Sequence, residues 1–211
     1  MNLRNFVLIL FGLAATTNAD FNITSPQITN WGSWGRFQRC PFGRYAQAFQ
    51  LKTEPHRITG DDTALNAIRL FCGDPNLPDT AVISSTVGLF GSWGRVFSCF
   101  PGYLSGFQMR VEEPQGTGDD TAANNIRGFC RNTPTYLEGD GLGFGSWGPQ
   151  LNCTRNQAIC GIQTQVEPSR GSEDDTALNN VLMECCDFAQ SQFTLNEEVL
   201  EPDFDLPLSF S

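Results

Sequence analysis

Three pairs of aspartates are the residues of this sequence whose type and spacing best suit acid–base chemistry. Each pair precedes a Thr-Ala dipeptide, and the six residues are Asp61, Asp62, Asp119, Asp120, Asp174 and Asp175. Two carboxylates that flank a sugar can hydrolyse or transfer a glycosidic bond, at a separation of roughly 5–5.5 Å for retention or 6.5–9.5 Å for inversion. These aspartates are therefore the candidate catalytic residues.

A structural role explains the same aspartates without any reaction. Aspartates in turns and helix caps accept hydrogen bonds from backbone N–H groups. A fold built from three equivalent parts needs its turn three times, whereas an active site is usually single. The triplication therefore favours the structural interpretation over catalysis. Calcium binding is less favoured still, because no twelve-residue ligand loop is present.

Aromatic and basic residues provide a second set of candidates, for ligand binding. Trp31 is the tryptophan expected to be exposed and able to stack on a sugar ring. Arg69 and Arg127 stand at equivalent places and could contact a sugar or an anion. The alternative for both arginines is an internal pair with an aspartate, because a planar guanidinium satisfies a carboxylate with two hydrogen bonds.

Composition excludes several other classes of function. The 211 residues include one histidine, His56, so no site with two imidazole ligands can form. No Cys-x-x-Cys motif occurs, and the sequence suggests neither a metal nor a cofactor. Asp and Glu number 23 against 13 Lys and Arg, for a net charge of −10, which argues against binding to nucleic acid.

The N-terminus and the cysteines predict an exported protein. Residues 1–19 have the basic, apolar and small-residue regions of a cleaved signal peptide, and no membrane insertion is expected. Eight cysteines follow, an even number that predicts four disulfides in an oxidising compartment. Asn22, in Asn-Ile-Thr, is the predicted glycosylation site.

A triplicated motif organises the chain. Gly-Ser-Trp-Gly occurs with its tryptophan at Trp34, Trp93 and Trp147, and each copy follows an aromatic residue. A cysteine, a Glu-Pro pair, Asp-Asp-Thr-Ala and a second cysteine then follow in register, with the Glu-Pro glutamates at Glu54, Glu113 and Glu167. Such a period indicates one supersecondary unit repeated three times. The repeats span about 28–72, 86–130 and 140–186.

The repeats also predict the secondary structure. Apolar Phe49, Phe107 and Ile162 alternate with polar glutamines, the period-two pattern of a half-buried strand. The fold is therefore predicted to be all-β, with three sheets closed around a pseudo-threefold axis filled by Phe90, Phe107, Phe129 and their counterparts. Residues 20–195 would form this single domain, closed by residues 187–195, and 196–211 a flexible acidic tail.

The repeats assign the disulfides as well. Equivalent cysteines give Cys40–Cys72, Cys99–Cys130 and Cys153–Cys185, which leaves Cys160–Cys186. Because Cys185 and Cys186 are adjacent, the last two pairings are exchangeable on the sequence alone.

The Gly-Ser-Trp-Gly blocks, the Glu-Pro turns and the stretch from Gly60 to Cys72 resemble the vitelline membrane outer layer protein 1 family. The resemblance covers about residues 28–195. It implies a type I β-prism of three Greek-key sheets and an extracellular protein of an egg coat or other secreted fluid, with a proposed ability to build or bind N-acetylglucosamine oligosaccharides. Leu182 and Glu184 replace the Arg-x-Phe pattern of the other two repeats, so the third repeat does not supply an equivalent arginine.

Two hypotheses about function follow. The favoured one is a secreted, non-enzymatic structural component of an extracellular coat that binds glycans. The alternative is a carbohydrate-active enzyme or lectin that acts on N-acetylglucosamine oligosaccharides, with one aspartate pair as acid and base. Extracellular glycoproteins or oligosaccharides are the expected partners, and the acidic composition also suits basic coat proteins.

Overall fold

The protein is all-β in the computed structural model, which describes residues 21–56, 63–74, 76–116, 121–169 and 175–188. Proposals for residues 1–20 and 189–211, and for five of the six aspartates, therefore lie outside the described residues. The strands are β1 Phe21–Thr24, β2 Ser33–Trp34, β3 Gln38–Arg39, β4 Ala46–Thr53, β5 Leu65–Cys72, β6 Ala81–Ser84, β7 Ser92–Ser98, β8 Leu104–Val111, β9 Ala123–Cys130, β10 Tyr136–Glu138, β11 Ser146–Trp147, β12 Leu151–Asn152, β13 Gln157–Val166 and β14 Leu178–Asp187.

The strands form three antiparallel sheets with the same connectivity. Sheet I has the order β6-β5-β4-β7, and sheet II has the order β10-β9-β8-β11, with β12 also on β8. In each, three consecutive strands are neighbours and the fourth returns beside the first, which is a Greek key. The architecture is a β-prism of three Greek-key sheets.

Sheet III is assembled from both ends of the described chain. Its order is β1-β14-β13-β2, with β3 also on β13. Strand β1 pairs with β14 from Phe21 opposite Cys185 to Thr24 opposite Leu182. Closure by pairing with the N-terminal segment was expected of residues 187–195. The described pairing lies earlier, at 182–185, and residues 189–195 lie outside the described part.

The core lies between the inward faces of the three sheets. The equivalent residues Phe49, Phe107 and Ile162 are at most 2% exposed, in agreement with the alternation in the sequence. Two residues predicted for the centre are not there. Phe90 is 37% exposed, because it lies in the loop before β7, and Phe129 on β9 is only partly buried.

Four disulfides fasten one end of the prism. They join Cys40 to Cys72, Cys99 to Cys130, Cys153 to Cys185 and Cys160 to Cys186. The first three link the entry to the first long strand of a sheet with the exit of the second, and the fourth links β13 to β14. The end of the prism that carries them is called the cysteine end here.

Candidate functional site

The opposite end of the prism, called the corner end, carries a buried polar network in sheet I. Where β4 leads towards β5, the Asn66 amide donates to the Thr63 hydroxyl at 2.6 Å, and this hydroxyl donates to the Glu54 carboxylate at 2.8 Å. All three side chains are at most 2% exposed. Buried polar groups are costly unless hydrogen-bonded, so the network satisfies groups that the turn brings inside.

The same network occurs in the other two sheets. In sheet II, Asn124 donates to Thr121 at 2.7 Å and Thr121 to Glu112 at 2.6 Å. In sheet III, the equivalent bonds through Asn179, Thr176 and Glu167 are both 2.7 Å. The network glutamate of sheet II is therefore Glu112, which directly precedes the Glu-Pro glutamate Glu113. The segment between cysteine and strand is one residue shorter in this repeat.

An alanine in left-handed conformation completes each corner. Ala64, Ala122 and Ala177 have φ of 48°, 47° and 48°. The carbonyl of each accepts a hydrogen bond from the backbone N–H of the corner glutamate, at 2.7–2.8 Å. A left-handed conformation costs an L-residue roughly 1–2 kcal/mol. Three equivalent strained alanines therefore show that the surrounding network determines the backbone.

One of the predicted catalytic carboxylates can be placed beside these networks. Asp175 is 2% exposed and accepts a hydrogen bond from the Ser169 hydroxyl at 2.7 Å. Asp61, Asp62, Asp119, Asp120 and Asp174 lie outside the described residues. Glu54, Glu112, Glu167 and Asp175 are thus each engaged in hydrogen bonds within a corner.

The two predicted ligand-binding arginines lie on the outer faces of sheets I and II. The Arg69 guanidinium lies 4.3 Å from the centre of the Trp93 ring, and its Nε donates to Gln50 at 2.7 Å. Partial burial lowers the pKa of Arg69. The Arg127 guanidinium lies 4.0 Å from the Trp147 ring and forms an ion pair of 2.8 Å with Glu138. Both arginines therefore stack on a tryptophan, rather than pair with an aspartate among the described residues.

Sheet III differs at this position. Leu182 pairs with Gln163 as Arg69 pairs with Gln50, so a leucine occupies the register position of the arginine. Among the described residues, no guanidinium is found over the Trp34 ring. Trp31, at the corner end of the same sheet, is only partly exposed, and its backbone N–H donates to the side-chain oxygen of Asn179 at 3.2 Å.

A cleft of about 290 Å³ opens at the corner end between sheets I and III. Its apolar wall includes Val87, Leu89 and Phe90, and the buried residues Glu167 and Asp175 also border it. This surface, called the end cleft, can take a ring-shaped or apolar group. Sequence patterns did not indicate it, because its walls come from two repeats.

The next corner carries a larger side chain at the position of Ser169. His56 and Ser169 are equivalent, since each follows the corner glutamate and its proline. The His56 ring lies 5.1 Å from the ring of Phe144, the equivalent of Phe90. In the end cleft the smaller Ser169 faces the region of Phe90. A difference in side-chain size thus breaks the threefold equivalence.

The structure also shows where the predicted glycosylation site and one group of metal-ligand residue types lie. Asn22 is exposed on β1. Cys160, Glu184 and Cys186 lie close together, but the two sulfurs form a disulfide and Glu184 is paired with Arg39. In the described part of the chain, no helix is long and apolar enough to span a membrane.

These features define the class as a disulfide-bonded β-prism protein. Among solved structures, the chain is similar to Calsepa lectin in complex with bisected glycan, with a TM-score of 0.50 and 12% identity over 78% of this chain and 95% of that one. At this identity the similarity concerns the fold alone.

The family follows from sequence. The profile of vitelline membrane outer layer protein I matches residues 21–188, so this chain belongs to that family. It is 45% identical over 160 residues to the vitelline membrane outer layer protein 1 homolog of Homo sapiens, covering 74% of this chain and 78% of the relative. It is 42% identical over 167 residues to the homolog of Mus musculus, covering 75% and 81%. The family is extracellular.

Proposed function

We propose that this protein is a secreted, non-enzymatic structural component of an extracellular coat and that it binds glycans or glycoproteins of that coat. Family membership supports the coat, and four disulfides support export into an oxidising compartment. Residues 1–19 are the signal peptide in this proposal, and Asn22 carries an N-linked glycan.

The observation that carries the non-enzymatic assignment is the triple occurrence of the corner network. Glu54, Glu112 and Glu167 make the same bonds in three places, each to a threonine hydroxyl. A catalytic pair needs one geometry at one site, whereas a closed prism needs three equivalent turns. This threefold use of the corner glutamates and threonines supports a structural role for the motif.

We place the glycan contact on the outer face of sheet III. Sugar rings stack on exposed indole faces, and the Trp93 and Trp147 rings are each overlaid by an arginine. Leu182 replaces that arginine beside Trp34, which leaves the Trp34 ring as the tryptophan surface for a sugar. Gln163, which donates to the Gly35 carbonyl at 2.8 Å, orients the neighbouring backbone.

One observation favours the enzymatic alternative. Asp175 and Glu167 border the end cleft together with aromatic Phe90, and a glycosidase needs two carboxylic residues beside the bound sugar. An enzyme acting on N-acetylglucosamine oligosaccharides would use this cleft.

Two measurements on one preparation separate these functions. A glycan array followed by NMR titration should show binding that is lost in Trp34→Ala and kept in Trp93→Ala, the matched control on sheet I. Incubation with chito-oligosaccharides should give no product. Product that disappears in a folded Asp175→Asn variant would establish the enzyme instead, and absence of any glycan binding would refute the lectin part of the proposal.

A further inference from the structure

The two arginines that stack on tryptophans differ in whether a carboxylate accompanies them. On sheet II, the Arg127 Nε donates to the Glu138 carboxylate at 2.9 Å, and the guanidinium lies 4.3 Å from the centre of the Tyr136 ring. On sheet I, the Arg69 Nε donates to the Gln50 side chain. Among the described residues, no carboxylate pairs with Arg69, and its two terminal nitrogens have no hydrogen-bond partner. Because Arg69 is partly exposed, its terminal N–H groups are available to a ligand.

Strand register explains this difference between the sheets. Strand β10 covers the arginine of sheet II with Glu138, which lies directly opposite it, and with Tyr136, two residues earlier. On β6, the same two positions relative to the arginine of sheet I are Ser84 and Val82. Serine and valine are too short to supply a carboxylate or a ring at this place. The surface formed by Arg69, Val82 and Ser84 is called the arginine notch here.

The guanidinium in the arginine notch is held in a fixed orientation. It lies 4.3 Å from the centre of the Trp93 ring and 5.6 Å from that of Phe71, and its Nε is 2.7 Å from the Gln50 oxygen. Contacts with two rings and one amide leave the planar group little freedom to lose when a ligand binds. The terminal N–H groups of such a guanidinium match the two oxygens of a carboxylate.

The charge of sheet I is opposite to that of the whole chain. The four strands of this sheet, all within the described residues, contain Lys52, Arg69 and Arg95 but no aspartate or glutamate. The chain as a whole has a net charge of −10. No carboxylate on these strands therefore competes for Arg69, and the positive residues of the sheet favour an anionic ligand at this face.

Exposed apolar side chains lie on both sides of the Arg69 guanidinium. Val82 on β6 is 48% exposed and Val96 on β7 is 43% exposed. Val96 lies opposite Gln50, which in turn lies opposite Arg69, so these side chains share the outer face of the sheet. The C–H groups of a sugar ring can cover such apolar surface. A uronic acid joins a ring and a carboxylate in one residue, and these are the two groups that β10 supplies on sheet II.

We propose that the arginine notch binds the carboxylate of a uronic acid residue in an acidic glycan, with the terminal N–H groups of Arg69 as donors. This proposal deepens the proposed function, on which it rests for the presence of glycans in the coat. It names an acidic class of glycan and a second contact, on a different sheet from Trp34. Neutral N-acetylglucosamine oligosaccharides have no carboxylate and should leave the notch empty.

The test is an NMR titration of the mature chain with a linear tetramer of galacturonic acid and, separately, with its methyl ester. The acidic tetramer should shift the Trp93 indole signal, because Arg69 stacks on that ring. The uncharged ester should bind at least about tenfold more weakly. Added salt should weaken the binding of the acid. Neither ligand contains N-acetylglucosamine, so a failure of the sugar contact at Trp34 would leave this result unchanged.

Variants that copy one sheet onto the other provide the sharpest test of the residues. Ser84→Glu places a carboxylate where Glu138 stands on sheet II, and it should weaken binding of the acidic tetramer at least about tenfold while Arg69 is kept. Ser84→Gln has nearly the same size without the charge and should weaken binding less. Arg69→Gln should abolish the binding, whereas Arg127→Gln, the matched control on sheet II, should leave it unchanged. Thermal melts verify that each variant is folded.

Several results would overturn the proposal. Equal binding of the acid and its ester, an unshifted Trp93 signal, or wild-type affinity in Ser84→Glu would each exclude a carboxylate at Arg69. An acidic peptide is the competing occupant, since side chains of tyrosine and glutamate fill this place on sheet II. A peptide of glutamate and tyrosine that binds at Arg69 when the galacturonic acid tetramer does not would replace the glycan by a protein partner.

Discussion

Thr63→Val tests whether the corner network is part of the scaffold. Valine has nearly the shape of threonine but cannot donate to Glu54 or accept from Asn66. The lost bond to a carboxylate is worth about 1.5–3 kcal/mol and the lost bond from the amide about 0.5–1.5 kcal/mol. Because both partners are buried and water does not replace the hydroxyl, we expect a loss of about 2–4 kcal/mol in the free energy of unfolding.

The assay is denaturant unfolding with the disulfides intact, supported by thermal melts. For a protein of this size, this loss corresponds to a fall in Tm of roughly 4–16 °C. Thr176→Val should match Thr63→Val, since Glu167 is 4% exposed. Thr121→Val should cost less, about 1–2 kcal/mol, because Glu112 is only partly buried and water can reach it.

Exposed Thr135 provides the control, and Thr135→Val should change the free energy of unfolding by less than about 0.5 kcal/mol. The reasoning is refuted if Thr63→Val is equally neutral. It is also refuted if the three corner variants leave stability unchanged but abolish activity on a glycan, since the network would then be a functional site.

Three further predictions concern the backbone, the disulfides and the glycan. Ala122→Val should cost more than about 2 kcal/mol, because a β-branched side chain is poorly tolerated at φ of 47° in a buried position, while Ala122→Gly should stay within about 1 kcal/mol; chemical denaturation measures both. Replacing Cys160 and Cys186 together by serine should cost about 3–4 kcal/mol on the loop-entropy account, measured against wild type by the same method. When the wild type is secreted by eukaryotic cells, peptide-N-glycosidase should lower its mass, whereas the mass of Asn22→Gln should not change on this treatment. A wild type whose mass is unchanged by the glycosidase would contradict the assignment.

The fold could be predicted from the sequence because the patterns that indicate it are local and occur in three copies. Alternation around Phe49 and Phe107 predicted the buried strand faces, and the triplicated cysteines predicted the disulfide partners. The geometry of the structure selects Cys153–Cys185 over the exchangeable alternative, because Cys153 and Cys185 lie 5.5 Å apart at their Cα atoms. Adjacent cysteines on one strand point to opposite faces of the sheet. The sequence alone does not say which cysteine takes which face, so it does not identify the disulfide partner of each.

Contacts across strands and between repeats were harder to predict. The sequence suggested an aspartate partner for Arg69, but strand register places it beside Gln50 and Trp93. The end cleft combines the corner of sheet III, where Ser169 stands at the position of His56, with a loop that leads into sheet I. A cleft formed by residues from different repeats leaves no regular spacing in the sequence, so the repeats and motifs do not predict it.

The most direct test of the account is a single titration of the mature chain with N-acetylglucosamine oligosaccharides, in which NMR follows both the protein and the sugar. The account predicts shifts in the Trp34 indole signal, none in those of Trp93 and Trp147, and an oligosaccharide that is unchanged after prolonged incubation. Cleavage or elongation of the sugar, with shifts centred on Asp175 and Phe90, would contradict it.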